Sequence, residues 1–241
     1  MSVLAGVLVA GAAGVAAYAV VDKYRTRLKR EAYIRAYMFP RGVFEKLHKA
    51  HPTLEVKNQQ LLARALRQFF LTYHKSGHQR VAMPSQAVDD LWHEFILFTR
   101  DYKKFCDEAF GTFLHHTPAV KLGGVRSDNE GLRRVWWFAC LEENINPRRA
   151  TRLPLLFAID RKLGIANGFV YTLDCRRAIA DVTQGSRAGT QCAEAFGDSS
   201  VDGSTDGLGC SGGGGSGDSG GLFGGDSGGD GGGCGGGCGG D

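Results

Sequence analysis

Residues 83–118 read MPSQAVDDLWHEFILFTRDYKKFCDEAFGTFLHHTP and carry the strongest helical pattern in the chain. Ser85, following Pro84, is a good helix N-cap, because its hydroxyl can accept a backbone N–H that a first helical turn leaves unpaired. Val88, Leu91, Trp92, Phe95, Tyr102, Phe105, Cys106 and Ala109 then recur near the 3.6-residue period, and Gly111 is the stop. The spacing predicts one long amphipathic helix with its apolar stripe turned to a core.

The same reading extends outward. Leu62, Ala65, Leu66, Phe69, Phe70 and Tyr73 mark a helix with Arg64, Arg67 and Gln68 on its other face and Gly77 as C-cap. Val43, Phe44 and Leu47 make a short amphipathic turn before His51-Pro52. Ser127 and Glu130 form a capping box that leads Leu132, Val135, Trp136, Ala139 and Cys140 into a core, and Asn146-Pro147 ends that run. Leu155, Leu156, Ile159 and Leu163 predict one more short helix. Phe169–Leu173 is the one convincing strand, enough for at most a small hairpin, so the fold class is mainly α. His74 and His78, on either side of Gly77, read as two solvated histidines rather than a shared metal pair.

The two ends differ from this body. Val3–Val21 holds no charged residue, and nineteen residues at about 1.5 Å each reach roughly 28 Å, close to the roughly 30 Å of a bilayer core. The expectation is a single N-terminal transmembrane helix over residues 1–22, preferred to a cleaved signal peptide because no base precedes the apolar run. Lys23, Arg25, Arg27, Lys29 and Arg30 follow, giving a basic juxtamembrane helix over 23–39 at the anionic inner surface of the membrane and a cytoplasmic bulk of the chain. Gly6, Ala10 and Gly14 offer a small-residue ridge for a homodimer.

Of 36 glycines, 23 lie between Gly197 and Gly240. Residues 1–187 hold all 29 lysines and arginines against 17 acids, whereas residues 188–241 hold eight acids and no base. A compact helical domain over 40–183 and a disordered Gly/Ser/Asp/Cys tail over 184–241 follow from this shift, and the lack of a G-X-Y period excludes a collagen. Within the tail, Cys234 and Cys238 are paired thiols that supply half of a tetrahedral metal site. Cys106, Cys140, Cys175 and Cys192 are too widely spaced for a disulfide framework and read as reduced thiols.

Chemistry-bearing side chains concentrate in the opening stretch. Asp89 and His93, at i and i+4, share a helix face, so the carboxylate can orient the imidazole. His93, Cys106, His115 and His116 supply the nitrogen and sulfur donors that zinc takes, with Asp89 behind them. On one unbroken helix His93 and Cys106 would stand about 140° apart in azimuth and roughly 20 Å apart along the axis, so a shared ion requires a bend near Thr99-Arg100-Asp101. Packing is the favoured role, because Cys106 falls in the middle of the apolar stripe; a metal or small-ligand site and a Cys–His nucleophilic enzyme are the alternatives. The sequence carries no P-loop, strand-linked G-x-G-x-x-G, G-x-S-x-G or H-E-x-x-H motif.

Val88-Asp89, Trp92-His93, Leu97, Tyr102, Cys106, Gly111 and His115 together resemble the glycine-rich domain-containing protein family of plants and bacteria, although Phe95 stands where plant members often carry a second histidine. The resemblance implies a helical domain joined to a glycine-rich tail and brings no catalytic mechanism. The functional expectation is therefore binding or scaffolding at the membrane, with a metal or thiol site. Its rivals are an enzyme built on Asp89, His93, Cys106, His115 and His116, and RNA binding by the basic face, which lacks an aromatic platform for bases.

Overall fold

The chain order of elements is α1 (Ser2–Ala36), α2 (Arg41–Ala50), α3 (Val56–Lys75), α4 (Gln86–Leu97), α5 (Thr99–Ala109), α6 (Arg126–Glu142), α7 (Leu155–Leu163), β1 (Tyr171–Thr172) and β2 (Gln191–Cys192). This is a computed structural model, and it describes residues 2–52, 54–116, 126–173, 191–193 and 196. The α3 helix is central and packs against α1, α4, α6 and α7. Its Phe70 ring meets Trp92 at 5.9 Å, Phe105 at 4.8 Å and Phe110 at 6.1 Å, which joins α3, α4 and α5 in one aromatic core.

Ser85 caps α4 as its sequence position predicts, its Oγ accepting the Val88 amide at 3.2 Å. The long helix expected from Ser85 to Gly111 is two helices, broken at Phe98, where ψ reaches 62°. Phe98 seats its ring so close to Gly42 of α2 that an added Cβ there would lie 2.8 Å from it, and Lys46 lies 5.2 Å from the same ring. The break therefore places an aromatic side chain in the α2–α4 contact. Gly111, at φ 72°, ends α5 in the left-handed region that glycine enters without steric cost.

A second cap is long-range. Asp160 of α7, 2% exposed, accepts from Ser85 Oγ at 2.6 Å, from the Gln86 and Ala87 amides at 2.7 and 3.2 Å, and from the Phe169 amide at 2.9 Å. One buried carboxylate thus satisfies the start of α4 and ties α7 and the approach to β1 to it.

Several expectations are corrected. Among the described residues no helix is long and apolar enough to cross a membrane. The 35-residue α1 does not end where its apolar run ends; it continues unbroken through the charged residues from Asp22, and its last turns pack into the core, where Ile34 is fully buried. The apolar run is itself as rich in alanine and glycine as in valine and leucine. The transmembrane anchor, the inner-surface contact, the cytoplasmic assignment and the bilayer homodimer through Gly6, Ala10 and Gly14 lose their basis together. Gly6 and Ala10 also fall outside the residues whose side chains are described.

The Val43–Leu47 turn is part of a ten-residue helix. β1 is no hairpin strand: Tyr171 and Thr172 pair in parallel with Gln191 and Cys192. Ala193 and Phe196 are buried, Phe196 against Trp136 and Phe157, so packed structure reaches past residue 183. Cys192 is disulfide-bonded, which corrects the reading of four reduced body thiols, while Cys106 and Cys140 are free and buried.

Candidate metal centre

Asp89, His93 and His116 converge at the first turns of α4. Asp89 is 3% exposed, with Oδ1 2.8 Å from His116 Nε2 and Oδ2 3.7 Å from His93 Nδ1. The two imidazole centroids are 4.1 Å apart, and one donor atom from each residue lies within 4.8 Å of the others. Two donors each about 2.1 Å from one ion stand roughly 3.0–3.5 Å apart, so the two carboxylate–imidazole distances bracket what coordination requires.

Helix periodicity accounts for Asp89 and His93. His116 arrives by another route. After Gly111 the chain turns back, Leu114 enters the core, and the Tyr102 hydroxyl donates to the Leu114 carbonyl at 2.6 Å while accepting from Trp92 Nε1 at 3.2 Å. Two residues on, the His116 ring packs edge-to-face with Trp92, their centroids 4.5 Å apart. Trp92 and Tyr102, read from the sequence as core, are core and also fix this loop. The legible signal was a buried indole N–H and a phenol on one stripe, each of which needs a partner.

The side chains of Asp89 and His116 are 4% and 12% exposed, and that of His93 is 51% exposed. The cluster is therefore floored by protein and open to solvent past His93. Two imidazoles and a carboxylate on one side of an ion, with the other side open, form a donor set suited to zinc and other divalent transition metals, and differ from the closed four-ligand arrangement of structural zinc.

The other predicted donors are elsewhere. Cys106 is fully buried in the aromatic core, and burial, the largest influence on it, pushes its thiol pKa up. The helix break at Phe98 does supply a bend, but it leaves Cys106 on the core side of α5. His115 is exposed and packs its ring on Phe113 at 4.9 Å. Cys234 and Cys238 lie outside the described residues. His74 is buried rather than solvated, and His78, at φ 65°, stacks on Tyr73 with ring centroids 5.0 Å apart. Beside the cluster, His51 Nε2 pairs with Asp90 Oδ2 at 2.8 Å, a contact between α4 and the end of α2 that no local pattern announces.

Against known families, residues 29–196 match the UCP032817-like family. The chain belongs to this family. Membership replaces the glycine-rich domain-containing family that the Trp-His pattern resembled. The family's match takes in Asp89, His93 and His116 and ends at Phe196, the last described residue of the packed core. No curated protein and no solved structure matches the chain. The family brings no activity with it, so the reading of the site rests on its geometry.

Proposed function

We propose that this protein binds one divalent transition-metal ion, zinc being the best fit to the donors, through Asp89, His93 and His116. The observation that carries the reading is the convergence of three metal-ligating side chains from two separate segments, all within 4.8 Å, around a carboxylate that is otherwise buried. Burying a carboxylate is costly unless it is compensated, and two facing imidazoles with a cation compensate it more fully than one hydrogen bond. The open side at His93 leaves room for water or an exogenous ligand on the ion, so the metal would act in binding or in polarising a ligand rather than as a closed staple.

A second reading has its own support. The 2.8 Å Asp89–His116 contact and the edge-to-face packing of His116 with Trp92 also suit a hydrogen-bonded tether that only pins the 112–116 loop to α4. Calorimetric titration of the metal-stripped full chain with Zn²⁺ separates the two. Metal binding gives about one ion per chain, with affinity falling in His93→Ala and His116→Ala by more than the roughly 10–100-fold that loss of an outer partner of a ligand costs, and unchanged in His115→Ala. No saturable binding, together with loss of stability in His116→Ala, would leave the tether alone.

A further inference from the structure

A cavity of about 270 Å³ bounded by α1, α3 and α6 is lined by Arg35, Arg64, Arg67, Gln68, Glu142 and Glu143. Its acceptors are already engaged. Glu142 takes the Arg35 guanidinium and Lys75 Nζ, the latter at 2.7 Å. Glu143 accepts from the Leu155 amide at 2.6 Å and Gln68 Nε2 at 3.0 Å, and pairs with Arg152. The remaining Gln68 oxygen accepts the Leu156 amide at 3.1 Å.

The donors are not all engaged. Arg67 gives one N–H to the Tyr37 carbonyl at 2.7 Å and rests 5.9 Å from the centroid of the Phe39 ring. Neither Arg64 nor Arg67 has an acidic partner among the described residues. Burial first, and the neighbouring Arg64 charge second, push the Arg67 pKa down, as expected of a half-buried cation without a counter-ion. Guanidinium groups present planar forks of N–H donors that match the oxygens of a phosphate.

We infer that this cavity binds a phosphate group, held by Arg64 and Arg67 with Arg35 at its edge. The site is separate from the metal centre and does not depend on it. The cavity is large enough for inorganic phosphate or for the phosphate of a small monoester, and the two sources share the same recognition chemistry.

The test is calorimetric titration of the full chain at fixed ionic strength, maintained with chloride, in separate arms with inorganic phosphate, a simple phosphomonoester and acetate. Saturable one-site binding of phosphate or the monoester is expected, with the tighter arm identifying the source. Arg64→Gln weakens it by at least about tenfold, the loss of one charge-assisted hydrogen bond. Arg64 is solvent-exposed, so this variant folds, and it keeps the test decisive even if Arg67→Gln does not. Arg161→Gln, an exposed change on α7, and His116→Ala leave binding intact. Binding of acetate as tight as that of phosphate, equal affinity in Arg64→Gln and wild type, or no saturable heat in either phosphate arm would overturn the assignment.

Discussion

Tyr102 shows how one hydroxyl can hold a candidate site together. It is buried, takes the Trp92 N–H and gives its own proton to the Leu114 carbonyl, two residues before His116. Tyr102→Phe leaves an indole N–H and a carbonyl without partners in a dry core, and is expected to cost about 2 kcal/mol in chemical denaturation. It also loosens His116, so Zn²⁺ affinity should fall by about tenfold while the ion-to-chain ratio stays near one. A substitution that only weakened the core would lower stability without moving affinity in the folded protein. The pairing of Asp89 with His93 could be read from spacing alone, since i and i+4 meet on any helix. The choice of His116 over its neighbour His115 could not, because it depends on which way the chain faces after Leu114, and a contact twelve residues back at Tyr102 sets that direction.

At the scale of elements, the start of α4 was legible and its second anchor was not. Ser85 announces a cap through local chemistry. Asp160 lies 75 residues away and looks like any exposed acid on a short helix until α7 is packed. Asp160→Ala removes the acceptor for four donors, two of them α4 amides that no turn of helix can satisfy, and is expected to destabilise by about 3 kcal/mol; Asp160→Asn, which keeps one acceptor oxygen, should cost less. Denaturant midpoints of the two variants check the order. The break at Phe98 escaped the periodicity for a related reason. An apolar stripe that continues in register looks the same whether the helix runs on or pauses, and only the contact of Phe98 with Gly42 of α2 fixes the pause. The parallel strand pair was equally hidden, since a two-residue strand is defined by its partner and not by its composition.

Across the molecule, α1 is bound to the body by charge, with a buried imidazole beside the contact. Arg35 and Lys75 share Glu142, and Glu31 approaches both cations, linking α1, α3 and α6. Burial opposes the Glu142 charge, but Arg35 and Lys75 outweigh it and hold its pKa below the usual carboxylate value. His74 sits at this junction on α3, with Glu31, Arg27 and His78 around it. Burial outweighs Glu31 and lowers its pKa, and His78 is lowered by burial and by Arg30. A histidine held neutral in the fold binds fewer protons than in the unfolded chain. Stability is therefore expected to fall as pH drops below about 6.5 toward the lower folded value, and to level off with respect to this group beneath it. His74→Leu should make that limb shallower in pH-dependent thermal unfolding, leaving the share of His78 in the same window and the contribution of Glu142 to be lost at more acidic pH. The charge-rich half of α1 explains why composition misled about its role: a run of small apolar residues beside a basic stretch reads as an anchor and flank, whereas in the fold the basic stretch is the docking face.

The proposed metal site is defined by its donors, two imidazoles and a carboxylate with no thiolate. Visible absorption of the full chain titrated with Co²⁺ reads that donor set. Ligand-field bands are expected to saturate at about one equivalent, to carry no thiolate-to-cobalt charge transfer, and to be lost in His116→Ala but kept in His115→Ala. Absence of any band, or a thiolate charge-transfer band placing Cys106 on the ion, would contradict the proposed site.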